Sequence, residues 1–197
     1  ATIYGVLLND PAEITTMGAA LHDKPYLAPP QAPVLYIKTA NTVNAGDTVP
    51  LPAGIDALEI GATLGLVIRR RTPLAANKSA PATLADVAGV LLLADWCVPH
   101  ASVYRPPVKW RNRDGFLGVG QFIPTADETA LTALLGALTL SVQINGVAVQ
   151  TVSFKHLVRD AATLLRDVSE LFSLRGDENS ASDVLLLGLQ SCAGQPR

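Results

Sequence analysis

At 197 residues the chain is long enough to close a sizeable core as one large domain spanning 1–197. Apolar residues make up 49% and charged residues 16%, richer in apolar side chains than most soluble domains, so some of that surface is expected to be buried against another subunit. A net charge of −2 and a pI near 5.9 exclude a general nucleic-acid binder, and no apolar run reaches the roughly eighteen residues of a membrane span.

The opening ATIYGVLLNDP has no basic n-region, which points to the cytoplasm. Thr2–Leu8 reads as a strand ended by Asn9, Asp10 and Pro11, and 12–22 as a short helix. The proline-rich run 24–33 cannot be regular structure. Pro33–Thr39 is a second strand, and the turn-rich segment after it is typical of short strands. Thr63–Arg70 should be a central strand, with Arg69–Arg71 as a solvated loop edge. Residues 73–81 form a polar loop; 84–93 is apolar enough to be buried either as helix or as strand. Thr139–Gln150 carries the best hairpin signal, with Asn145-Gly146 supplying a type I′ turn. His156–Leu174 has the clearest helical periodicity, His156 lying in its first turn and Gly176 placed to end it. Asp183–Gly188 is a last apolar strand. Cys97 and Cys192 lie far apart, show no metal-ligand spacing and read as buried free thiols.

The stretch Ala94–Gln121 concentrates both Trp residues, one His and four of the fifteen Lys and Arg. Read as extended chain, Lys109, Arg111 and Arg113 point the same way. A face of three cations requires water or an anion in front of it. Either it is a solvated edge strand blunted against aggregation, or it grips a small anion.

Taken in order, PVLYIK, the strand ending in VIRR, GVLLLADWCVP, YRPPVKWRNRDGF, QINGVAVQ, LLRDVSELFSL and DVLLLG resemble the fumarylacetoacetate hydrolase family over nearly the whole chain. The likeness is strongest to the metal-free half of that family's isomerase/decarboxylases of homoprotocatechuate (4-hydroxyphenylacetate) breakdown. The resemblance implies an α+β, mostly β fold, a mixed β roll with a few peripheral helices, assembled as dimers or larger. It implies chemistry on 2-oxo acids and 2-hydroxy-dienoates. In metal-dependent members a divalent ion stabilises the enolate.

Several positions depart from the family's pattern. The paired metal-binding Glu residues align with Gly61 and Thr63, and only the Asp remains, as Asp95. Glu59 lies two residues early on the same face, displaced by about 6–7 Å along a strand. The Mg or Mn site is therefore expected to be lost, with no cofactor. Arg111 stands for a substrate-anchoring Lys, Leu187-Gly188-Leu189-Gln190 for a Thr-Gly-Thr-Pro loop, and Glu13 for a lid His beside Asn9-Asp10. The chain also stops short of the family's closing strands, so an open sheet edge is expected to need a neighbour.

Two functions follow. One is a metal-independent isomerase/decarboxylase-type subunit acting on a small anionic oxo-acid, with no nucleic acid or membrane partner. Lys109 and Arg111 would grip carboxylates, Tyr104 and Arg105 would polarise an oxygen, and Asp114 would orient the cations. His100 and Asp95 are the available proton carriers, each with a purely structural reading as well. The other is a catalytically degenerate subunit pairing, as a homo-oligomer or with a metal-competent paralogue, to complete or stabilise it.

Overall fold

The computed structural model describes residues 1–70, 80–100, 108–176, 182–188 and, as backbone, 192–194. In chain order the strands are β1 (Ile3–Leu7), β2 (Val34–Lys38), β3 (Val43–Asn44), β4 (Leu58–Ile68), β5 (Val87–Cys97), β6 (Leu117–Pro124), β7 (Thr139–Ile144), β8 (Val147–Ser153), β9 (Val184–Leu186) and β10 (Cys192–Gly194). The α-helices are α1 (Pro11–Met17), α2 (Val108–Arg111), α3 (Glu128–Ala137) and α4 (Ala161–Leu171). This is the mostly β, mixed architecture with peripheral helices that the sequence predicts.

The main sheet runs β2-β1-β9-β4-β5-β6-β3, with β10 also on β4. Its spine is the antiparallel pair β4–β5, eleven residues each. β5 covers one edge of β4 along most of its length, while β9 and β10 share the other end to end. Residues 84–93 show no single period because they join a 3₁₀ turn at Leu84–Asp86 to β5, which carries apolar side chains on both faces, Leu92 being exposed.

Helices α3 and α4 cover one face. Leu64, Leu66 and Ile68 of β4 meet Leu131 and Leu135 of α3 and Leu164, Leu165 and Val168 of α4 in the largest apolar cluster. The opposite face holds a smaller cluster, Leu93, Leu117, Val184 and Leu186. Asn9 ties the layers together. Its amide donates to the carbonyls of Leu187 (2.7 Å) and Arg159 (3.0 Å), and its Oδ1 accepts the Arg159 N–H (2.8 Å). One buried side chain thus fixes the ends of β1 and β9 and the approach to α4.

The hairpin forms as expected, with Asn145 and Gly146 at φ +53° and +79°, the left-handed pair that a type I′ turn requires. Three expectations are corrected. Helix α4 begins at Ala161, because Asp160 caps it by accepting the Thr163 N–H at 2.7 Å; His156 belongs to a separate 3₁₀ turn, Phe154–His156. The helix ends at Leu171 in an extended Phe172, so Gly176 does not cap it. Arg69 is no solvated edge: its guanidinium donates to the carbonyls of Val87 and Thr125. Residue 71 lies outside the described residues.

Candidate functional site

Tyr36 and Lys38 alternate with exposed Ile37 on β2, so they share a face. That is the face of the sheet bearing Asp95. Gly5 of β1 stands directly across from Tyr36, and a Cβ there would overlap the ring carbons. The missing side chain lets the ring lie over β1, where the Tyr36 hydroxyl donates to Asp95 Oδ2.

Asp95 is 3% exposed and sits among cations. Lys38 Nζ lies 2.6 Å from its Oδ1, and Arg111 contacts its Oδ2 at 3.4 Å. Lys38, 2% exposed, donates to the carbonyls of Arg111 (2.5 Å), Phe116 (2.9 Å) and Trp96 (3.4 Å). Four oxygens thus surround an ammonium with three protons, and the 2.6 Å contact with Oδ1 is a charge-assisted pair. Burial pulls the Lys38 ammonium below its ordinary pKa, against the pull of Asp95. Burial also pushes the Tyr36 phenol well up, and the Asp95 charge adds to it, so Tyr36 stays a donor. For Arg111 burial opposes the charge, and Tyr36, Asp95, Cys97 and Glu13 outweigh it.

Arg111 is 7% exposed, with its guanidinium carbon 5.2 Å from the Tyr36 ring centroid. Its Nε and the neighbouring Asn112 Oδ1 have no hydrogen-bond partner among the described residues. Both residues line a cavity of ≈430 Å³ together with Leu35, Tyr36, Ile37, Thr39 and Val108. Glu13 sits on α1, held through Oε2 by the Leu8 N–H at 2.8 Å. Burial raises its carboxyl, and the Arg111 charge partly offsets the rise. Another cavity of ≈350 Å³, against α3 and α4, carries Glu128 and Asp160 but no lining cation.

The strand positions aligned with the family's metal carboxylates can be placed. Gly61 stands across β4–β5 from Asp95, and Thr63 from Leu93. Glu59 faces Cys97, whose thiol donates to it at 3.5 Å. Among the described residues no three His, Cys, Asp or Glu side chains group as a metal seat would need.

Of the residues singled out in the sequence, Asp95 and Arg111 come together. The extended reading of 109–113 is corrected: residues 108–111 are a helical turn. Two residues turn a helix by about 200°, so Lys109 and Arg111 point apart. Lys109 lies over the Trp110 ring at 4.2 Å, and Arg113 donates back to the Lys109 carbonyl. The Pro106-Pro107 pair ahead of the turn is a helix-start signal that the alternating cations obscured. Asp114 is exposed and accepts from Asn41 at 2.6 Å. His100 follows β5, its Nδ1 2.8 Å from the Val98 carbonyl. A carbonyl only accepts, so in this contact Nδ1 is the donor. Tyr104 and Arg105 lie outside the described residues, as do Leu189 and Gln190. Sequence reasoning missed Tyr36 and Lys38; the signal was a Lys two residues from a Tyr inside the apolar strand PVLYIKT.

A family model described as "Fumarylacetoacetate (FAA) hydrolase C-terminal" matches residues 2–197. A 4-hydroxyphenylacetate degradation bifunctional isomerase/decarboxylase from Escherichia coli is 33% identical over 188 residues, which are 95% of this chain and 40% of that protein. The chain thus spans less than half the length of that curated relative. Among solved structures, a putative fumarylacetoacetate isomerase/hydrolase from Oleispira antarctica matches with a TM-score of 0.73 at 19% identity, covering 100% of this chain and 83% of that one. A 5-carboxymethyl-2-hydroxymuconate delta-isomerase from Mycobacterium smegmatis matches with a TM-score of 0.71 at 20% identity, covering 99% and 70%. With a family match over nearly every residue and a relative a third identical along the same span, the chain belongs to the fumarylacetoacetate hydrolase family.

Proposed function

We propose that this chain is an isomerase/decarboxylase-type subunit that binds a carboxylated 2-hydroxy-dienoate or 2-oxo acid of aromatic-acid breakdown and moves a proton without a divalent metal. The observation that carries the proposal is Arg111: a buried guanidinium at a cavity wall, its Nε without an acceptor among the described residues. A planar fork held this way matches a carboxylate. Asn112 Oδ1 beside it is an acceptor for an enol or acid hydroxyl. The Tyr36 phenol keeps its proton and holds Asp95 in place.

The donor set does not suit a divalent ion. Gly61 and Thr63 contribute no carboxylate, and both Asp95 oxygens already face cations or donors. Proton transfer is assigned to a side chain, and His100, anchored through Nδ1 to the Val98 carbonyl, is the candidate. The test is isomerisation of a 2-hydroxy-dienoate dianion by the purified chain, with and without chelator. Activity that survives chelation supports the proposal; activity lost on chelation and restored by Mn²⁺ sinks it.

A second reading is a subunit that completes a metal-competent paralogue, and the observation behind it is the exposed apolar surface on β5, β6 and β8. Exposed Val147, Val149, Leu92 and Phe122 supply apolar surface for a partner. Native mass spectrometry of the chain alone and with such a paralogue separates the readings, a cytoplasmic setting being assumed for both. A monomer in both samples would remove this one.

A further inference from the structure

Lys38 is a buried cation that the proposed reaction does not use. Its ammonium lies among four oxygens: Asp95 Oδ1 at 2.6 Å and the carbonyls of Arg111, Phe116 and Trp96 at 2.5, 2.9 and 3.4 Å. The carbonyls come from β5, the end of α2 and the entry to β6, three segments separate in sequence. Carbonyl dipoles and a carboxylate converging on one point repel one another unless a cation sits there, and such all-oxygen cages are what hard cations occupy.

We infer that Lys38 is a tethered cation filling a seat that, without its side chain, takes a free one: a metal ion or a small alkylammonium. The tether has two consequences. It occupies the side of Asp95 from which an ion would bind. It also draws the Arg111 carbonyl inward, which fixes the turn that presents the Arg111 guanidinium to Asp95 and the cavity. Lys38 is thus a positioning residue acting through Arg111. Its part in the reaction rests on the proposed function, whereas the cation seat does not and is read without substrate.

The test compares wild type, Lys38→Ala and Lys38→Met by thermal melting and calorimetry in MnCl₂, n-propylammonium chloride and, as an ionic-strength control, choline chloride. Lys38→Ala keeps Cβ and removes what n-propylammonium replaces; Lys38→Met fills the space without charge. Wild type is expected to ignore all three salts. Lys38→Ala should melt lower and recover by about 5–10 °C when either small cation reaches a hundred times its dissociation constant. Choline should not rescue it, and Lys38→Met should respond to none. Adding Asp95→Asn to Lys38→Ala should cut Mn²⁺ affinity at least tenfold.

If Lys38→Ala does not fold alone, refolding in n-propylammonium against choline gives the same answer. A Lys38→Ala protein indifferent to both cations, or unable to refold with either, overturns the inference. So does a wild type that binds Mn²⁺ as tightly as Lys38→Ala. A rescued Lys38→Ala alongside a wild type with no isomerase activity would instead remove the enzymatic reading and leave the cation seat standing.

Discussion

Gly5 and Tyr36 face each other across β1–β2, and the phenol reaches Asp95 only because Gly5 has no side chain. A methyl group at that point must push the ring off the strand. The clash in Gly5→Ala is therefore expected to cost about 1–3 kcal/mol by itself, the range for overpacking. The hydroxyl should also part from Asp95. A Tyr36→Phe variant loses the same hydrogen bond, about 1.5–3 kcal/mol for a bond to a charged group, but without the clash, and should cost less than Gly5→Ala, which bears both. Chemical denaturation of the pair checks the order; Gly5→Ala as stable as wild type would mean that the ring has another resting place.

Arg111 holds a structural position against Asp95 and Tyr36 besides its proposed part in anion binding, in contrast to a cation on a solvated face. On such a face its removal would weaken anion binding and leave melting unchanged. Buried against Asp95 and Tyr36, Arg111→Ala should lower both. Oxo-acid binding should fall by about 1.5–3 kcal/mol, the range for hydrogen bonds to charged groups, and Tm by several degrees. Arg111→Lys retains charge but not the fork, and should recover melting better than binding. Calorimetry with a 2-oxo dicarboxylate and a parallel melt read both. Binding unaffected in Arg111→Ala would detach Arg111 from the site.

Asp95 answers to two buried cations, so its neutral isostere should be among the most damaging single changes. Asp95→Asn leaves Lys38 and Arg111 facing each other without a counter-charge, at about 3–5 kcal/mol. Lys38→Met leaves Asp95 with Arg111 and Tyr36 still present but strips the donor from three buried carbonyls, and should cost at least as much. The double variant should fall well short of the sum, because each change removes the reason for the other's cost. Additive losses in urea denaturation would show that the ion pair at 2.6 Å carries no coupling.

The parts legible in the sequence were those set by local chemistry. Asn145-Gly146 can make only one kind of turn, and the apolar stripe of α4 can face only a core. Asp95 could be singled out through the family resemblance, and Arg111 through that resemblance and the cations alternating at 109, 111 and 113. Their contact could not, since the cations at 109, 111 and 113 fit a strand as well as a helical turn, and only the prolines before them favour the turn. Lys38 was hidden for a different reason. A Lys at the end of an edge strand reads as solvated, and only the carbonyls of three distant segments make it a buried one. Helix α3 gave little away: Glu128–Ala137 buries just Leu131 and Leu135, too weak a stripe to stand out in an apolar chain.

Cys97 makes the alkaline behaviour of the fold predictable. Burial first, with Glu59 and Asp95 adding to it against Arg111, raises the thiol from 9.0 to about 12. The folded state therefore holds a proton that the unfolded state gives up. Stability from this group is complete below pH 9 and is lost as pH rises from 9 toward 12, at up to about 1.4 kcal/mol per pH unit. Tyr36, also raised, acts in the same direction at higher pH, whereas Lys38, lowered, acts in the opposite one. Total stability therefore mixes all three, and the difference between wild type and Cys97→Ala isolates the thiol. At neutral pH Cys97→Ala should be less stable by about 1 kcal/mol for the lost packing. That deficit should shrink above pH 9 and reverse before pH 12. Urea denaturation of both proteins at half-unit pH steps measures it, and a deficit constant from pH 8 to 11 would place the thiol in contact with solvent.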